Sequence, residues 1–397
     1  MLASGLAALT ACSAIGDTRG TEVHRRTLTI GVDAPLSGPL AGTGKGIMNS
    51  VDLAIQRANT THEVPGVTFR SEALDDKAMP HHGQVNAGRF VRRSDVIGIV
   101  GPLNSRVALS MQKPLDQADL VMVSPANTNP ALTLGPDWLS GHTQRPNKSY
   151  FRTVATDVSQ GPYAAQFAFQ DLHKRHVFVI DDDEAYGRGL TSTFTAEFTR
   201  LGGKVSGTDT IKVGDQNFSD LVTRVANSGA EFVFCGGAYP ECGRISRQLK
   251  TAGADLPLMG GDAMYEPAYM AVAGDGAEGD VATSVGAPVD VVRSARAFVT
   301  AYKIAGYATP PGTYGGYAYD SAWAIVEAVK GVAAHHTGAL PAHLRSAIST
   351  AMPEVTFSGV TGPISFDTNG DATNSQLTVC TVRKGKWVTL RTGTYVS

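Results

Sequence analysis

The chain has 397 residues, enough for two domains, and its 42% hydrophobic and 18% charged residues are ordinary for a globular protein with sizeable cores. A formal net charge of -2, with no Lys/Arg block, excludes the basic face that a nucleic-acid binder needs. The 44 glycines are many for this length and suit a fold with many tight strand-to-helix turns.

Met1 to Ala11 are small and apolar and end in Leu9-Thr10-Ala11-Cys12. That ending resembles a bacterial lipobox, whose Cys, here Cys12, receives a diacylglycerol and becomes the new N-terminus. An export leader begins with positive charge, whereas the first Lys or Arg here is Arg19, so the start of such a leader is expected upstream. Eleven residues cannot span a bilayer, and no other apolar run approaches the length needed. The expectation is a body held at the membrane only through its lipid, with residues 1–26 as signal remnant and linker.

The body alternates β-branched runs with helical stretches. Strands are predicted at Leu28–Val32, Val67–Leu74, Val96–Val100 and Leu120–Val123, with helices at Asn49–Ala58, Gln84–Val91 and Val107–Gln117 between them. The strands are apolar without alternation, as expected when helices cover both faces of a sheet. Residues 135–148, rich in Gly, Pro, Asn, His and Ser, read as a surface loop. The alternation then restarts with strands Val177–Ile180, Val205–Ile211, Phe232–Cys235 and Pro257–Gly260. Their helices are Ala164–Lys174, Leu190–Leu201, Phe218–Ser228 and Arg244–Ala252. Helices Ser294–Ala305 and Tyr319–Ala334 and a hairpin-like end, with a turn signal at Asn369-Gly370, complete the chain. Two such series predict an α/β protein of two doubly wound, Rossmann-like lobes. Cys235 and Cys242 stand seven apart around a predicted strand end. A disulfide in an oxidising compartment and a buried thiol are equally open.

Three turns carry chemistry. Pro35 to Gly46 tempts toward a phosphate loop, but Pro39 stands where the first Gly of that motif belongs and Gly46 where its hydroxyl belongs. What remains is a helix N-terminus with free N–H groups. Gly101-Pro-Leu-Asn-Ser105 places a hydroxyl and unpaired amides after a strand, and Ser124-Pro-Ala-Asn-Thr-Asn-Pro130 does the same after the next. Ligands of open α/β sheets bind at the carboxyl ends of strands, so these neighbouring turns make a carboxylate cradle. Asp181-Asp-Asp-Glu184 lacks calcium-loop spacing, and the pairs His81-His82 and His335-His336 lack companions at metal-ligand spacing. No G-x-S-x-G elbow and no nucleophile–base set is present. The reading is non-enzymatic, with no metal and no cofactor.

The ordered set Ser37-Gly-Pro, Gly101-Pro-Leu-Asn-Ser105, Ser124-Pro-Ala-Asn-Thr128, Asp157-Val-Ser-Gln-Gly-Pro162, Asp181 to Leu190, Gly236-Gly237, Met259-Gly-Gly-Asp262 and Gly362 to Asp371 resembles the leucine/isoleucine/valine-binding protein family. These are type I periplasmic binding proteins, the substrate-binding subunits of ABC importers. The resemblance covers nearly everything from Leu28 onward. It implies lobes of 27–156 plus 284–376 and of 157–283 plus 377–397, joined by three hinge crossings, with an amino-acid-like ligand between them. Ser105 and Thr128 would donate to the α-carboxylate, the Ala126 backbone would share contact with carboxylate and ammonium, and Tyr186 would cover the ligand; the loop after Ser124 also presents the Asn127 amide. Asp262 would pair with the ammonium, where branched-chain binders carry Glu. Thr43 and Ala238 stand at positions the family fills with aromatics, although Tyr239 follows, and these widen a side-chain pocket shared with Asn104 and Tyr314. The expected ligand is therefore branched-chain-like or larger, or a related amide. The expected protein is a monomer outside the cytoplasm that meets ABC permease subunits. A ligand-sensing subunit for a receptor or regulator is the alternative that shares the fold.

Overall fold

The computed structural model describes residues 26–289, 292–336 and 340–396. Cys12 and the leader lie outside them. Strands β1 (Arg26–Ala34), β2 (Val67–Asp75), β3 (Val96–Val100), β4 (Val121–Ser124) and β5 (Tyr150–Arg152) form a parallel sheet in the order β2-β1-β3-β4-β5. A second sheet is built from β6 (His176–Asp181), β7 (Lys204–Thr210), β8 (Phe232–Gly236), β9 (Leu258–Gly260) and β10 (Val281–Ser284). Beyond β11 (Phe357–Gly359) and β12 (Gly362–Ile364), which pair only with each other, the chain returns to that second sheet. There β13 (Gln376–Arg383) and β14 (Lys386–Thr394) extend it to the order β14-β13-β10-β9-β8-β6-β7. The chain thus passes between sheets three times: after β5, after β10 and into β13.

In both sheets the first strand of the series lies between the second and the third, so the crossovers go opposite ways on either side of it. This makes the topological switch point, where the turns splay apart and leave a crevice. The two folds are the two lobes of a type I periplasmic binding protein architecture. β3, β4 and β8 are buried along their whole length, which is why their sequences show no polar alternation. In the second lobe the Phe194 and Phe234 rings stack at 3.6 Å, locking a helix onto β8.

The helices begin earlier than their apolar periodicity. The first spans Ala41–Thr60 rather than starting near Asn49. Its Gly44 and Gly46 are packing residues: a Cβ would lie 2.0 Å from the Pro35 oxygen at one and 2.6 Å from the Pro311 oxygen at the other. A glycine run that reads as loop is here a helix pressed against two backbones. Likewise Asp157–Gln166, predicted from Ala164, starts right after the crossing and continues as a wider turn at Phe167–Asp171. β5, β10, β11 and the helix Leu344–Ala351 had no clear sequence signal, being three to eight residues long. Cys235 and Cys242 are joined as a disulfide, with Cα atoms 6.2 Å apart, tying the end of β8 to the helix Tyr239–Thr251. Among the described residues no helix is long and apolar enough to cross a membrane.

Candidate ligand-binding cleft

A cleft of ≈ 570 Å³ opens between the lobes at the carboxyl ends of the parallel strands of both sheets. From the first lobe come Ser37 to Thr43 after β1, Lys77 to Met79 after β2, Leu103 to Arg106 after β3, and Ala126 after β4. From the second come Asp182 to Tyr186 after β6, Lys212 to Gly214 after β7, Ala238 to Glu241 after β8, and Asp262, Ala263 and Glu266 after β9. Tyr314, just before the helix Gly315–His335, closes the base.

Ser105 is the first residue of the helix Ser105–Asp116. The Val107 and Ala108 amides already donate to the Asn104 oxygen, so the Ser105 and Arg106 amides are the ones left at the helix mouth. Their partial positive charge faces the cleft beside Ala126. The turn after β4 is pinned rather than open. The Ser124 hydroxyl accepts from the Ala126 and Asn127 amides at 3.2 and 3.0 Å, and the Asn127 side chain donates to the Pro102 and Leu103 oxygens at 3.1 and 2.9 Å. Asn127 therefore ties one turn to the other from below and does not line the cleft. Neither does Thr128, whose hydroxyl donates to Asp157 Oδ2 at 3.0 Å. Of the predicted cradle, Ser105 and Ala126 face the gap. Asn127 and Thr128, both fully buried, stand behind it.

The fully buried Arg152 completes this underpinning. Its Nε donates to Asp371 at 2.6 Å, and Nη1 donates to the Asn127 and Asn129 oxygens at 3.0 and 2.8 Å. A guanidinium with five donors in a fixed fork suits such a set of diverging acceptors.

Across the gap, Asp262 is 1% exposed. Its Oδ1 accepts from the Gln160 amide and the Tyr186 hydroxyl, both at 3.0 Å, and its Oδ2 accepts from the Tyr314 hydroxyl at 2.7 Å. Burial pushes its carboxyl above the usual range, and these three donors pull the other way. Gln160 also donates to Asp157 Oδ1 at 2.9 Å, so one amide bridges two buried acids. Burial, and then the charge of Asp262, push Asp157 up to about 8. Burial likewise lifts Glu266 to about 7 and Asp182 to about 7. The lining carries six acidic side chains (Asp182, Asp183, Glu184, Glu241, Asp262, Glu266) against three basic ones (Lys77, Arg106, Lys212). Glu184 and Asp183 are paired with Arg106 and Arg188, whereas Asp182, Asp262 and Glu266 are buried with raised carboxyls, and a cation entering the gap beside them would draw them back to the charged form.

The lobes touch across it. Arg106 pairs with Glu184, the Tyr239 hydroxyl donates to the Pro39 oxygen at 2.6 Å, and the Tyr314–Asp262 bond spans the floor. Thr43, Asn104, Ala238, Tyr239 and Tyr314, the expected side-chain pocket, all line the same cleft. Glu266, Gln160, Asp157, Arg152 and Arg106 were not singled out from the sequence. Asp157 and Gln160 belong to a quoted motif without an assigned role. Arg152 carries one signal, a charge inside the apolar segment Tyr150-Phe-Arg152.

Residues 27–386 match the periplasmic binding protein family. A Leu/Ile/Val-binding protein homolog from Brucella melitensis is 32% identical over 257 residues, 65% of this chain and 67% of that protein. The leucine-, isoleucine-, valine-, threonine- and alanine-binding protein of Pseudomonas aeruginosa is 27% identical over 374 residues, 94% of this chain and 95% of its own. Among solved structures, the leucine-binding protein LivK of Thermotoga maritima superimposes with a TM-score of 0.81 at 26% identity, covering 92% of this chain and 98% of that one. With its two-lobed fold and a family match along nearly all of its described length, the chain belongs to the periplasmic binding protein family.

Proposed function

We propose that this protein captures a small amino-acid-like solute between its lobes and presents the closed, loaded form to the permease of an ABC importer. In this reading the chain is exported and tethered through Cys12, acts as a monomer without catalysis, and closes about the three passages between its sheets. The α-carboxylate sits at the mouth of the Ser105 helix beside Ala126. The ammonium meets Asp262, and Tyr186 covers the ligand. Asn127 and Thr128 act from behind, by fixing the cradle.

The observation that carries the reading is the meeting of opposite polarities in one cleft: a helix N-terminus from the first lobe and a buried carboxylate from the second. A zwitterion presents the complementary pair, and a buried carboxylate that has hydrogen-bond donors but no counter-charge is eased when a cation joins it. The relatives named for leucine, isoleucine and valine support the amino-acid class. Thermal shift with a panel of amino acids, amides and small carboxylic acids tests it. A ligand at about a hundred times its Kd adds about 2.7 kcal/mol of stability. A panel in which only solutes lacking an amino group raise Tm overturns the proposal.

A further inference from the structure

Two residues that line the cleft each carry a buried polar atom with no hydrogen-bond partner among the described residues: Oε1 of Glu266 and Oδ1 of Asn104. Both are acceptors, and they come from opposite lobes. Glu266 is 5% exposed, and it lines the cleft together with Thr43. Thr43 is a short side chain whose hydroxyl stands beside the Glu266 carboxyl. Burial lifts that carboxyl to about 7, the Thr43 hydroxyl and Thr313 offset this only in part, and a cation beside it would restore the charge. An aliphatic side chain placed there would leave a buried carboxylate unpaired, whereas a side-chain ammonium or guanidinium would donate to it directly.

Resting on the amino-acid reading above, we infer that Glu266 is a second ligand-reading carboxylate and that the preferred solute is an α-amino acid with a positively charged side chain. Asp262 takes the α-ammonium and Glu266 the distal cation, with the Asn104 side-chain oxygen as a further acceptor. Among the described residues Asp262 and Glu266 have no ion-pair partner, so the cleft holds two buried carboxyls for the two cations of such a ligand. A site built around such acceptors discriminates by penalty: the analogue without the donor leaves them desolvated and unsatisfied.

Isothermal titration calorimetry with lysine and with norleucine, which lacks only the terminal ammonium, tests this on the unaltered protein. Lysine is expected to bind at least about tenfold more tightly. In Glu266→Gln that preference is expected to shrink to within about threefold, with norleucine binding no more weakly than before. Equal lysine and norleucine affinities in the unaltered protein overturn the inference and leave the amino-acid reading standing, as does leucine binding without lysine. A lysine preference that survives Glu266→Gln removes Glu266 from the role. Failure of every α-amino acid, with binding of a solute lacking an amino group, overturns both. The lysine–norleucine pair needs no variant, so it reports even where Glu266→Gln does not fold.

Discussion

Replacing Asp262 by Asn separates the demands of binding from those of folding. A carboxylate offers about four acceptor positions, and Gln160, Tyr186 and Tyr314 fill three of them. The remaining one, on Oδ2, is the place for an ammonium. Asparagine keeps the shape and one carbonyl oxygen, and both tyrosine hydroxyls can rotate to accept from the new amide. It also removes a buried charge that helps to hold Asp157 neutral. Ligand-free stability should therefore hold or rise. Binding should fall, because a charge-assisted hydrogen bond contributes about 1.5–3 kcal/mol, or about 10- to 150-fold in Kd. Calorimetry with the tightest amino acid and with its des-amino analogue reads the difference. The analogue has no ammonium to lose, so its affinity should change little. A loss below about threefold for the amino acid, or an equal loss for the analogue, refutes the assignment of Asp262 as counter-charge.

Three further outcomes follow from the same geometry. Asp157, Glu266 and Asp182 have carboxyls raised to about 8, about 7 and about 7, so they stay neutral in the folded chain where the unfolded chain is ionised. Their contribution is full below about pH 4 and is lost progressively as pH rises from there through about 7–8. The ligand-free Tm should be higher near pH 5.5 than near pH 8.5, and a saturating cationic ligand should narrow the gap; a Tm that rises across that interval contradicts the burial argument. Arg152→Leu leaves Asp371 and two carbonyl oxygens without their donor, at a cost of about 3–5 kcal/mol in urea unfolding; a loss under about 1 kcal/mol would deny it the anchoring role. Gly261→Ala places a Cβ 2.2 Å from the Tyr186 hydroxyl and 2.5 Å from Leu190, forcing Tyr186 off Asp262. The Kd should rise about five- to tenfold for the loss of one hydrogen bond, and an unchanged Kd would show that this contact is idle.

Much of the architecture was legible because its causes are local. Apolar runs such as Val96–Val100 and Phe232–Cys235 declare strands covered on both sides, and the turns after them declare where a ligand sits. Helix starts were misplaced for an equally physical reason. Gly44 and Gly46 lack side chains because Pro35 and Pro311 press against the helix, and no periodicity reports a neighbour that arrives from elsewhere in the chain. The open choice at Cys235 and Cys242 was one of geometry and needed coordinates.

The residues of the cleft divide along the same line. Hydroxyls and amides at strand ends are visible in a sequence because they follow strands directly, as Ser105 and Ala126 do. Whether such a group faces ligand or scaffold depends on partners far away: Thr128 turns to Asp157, and Asn127 turns to the loop before Ser105. Glu266 is the sharper case. Nothing in its local sequence sets it apart from a solvated loop acid, and only the packing of two lobes buries it beside Thr43 with an oxygen unpartnered. Local patterning determined the strands, the turns and the zwitterion-sized question they pose. Long-range closure decided which acids lose their water, and so which ligand the cleft can answer.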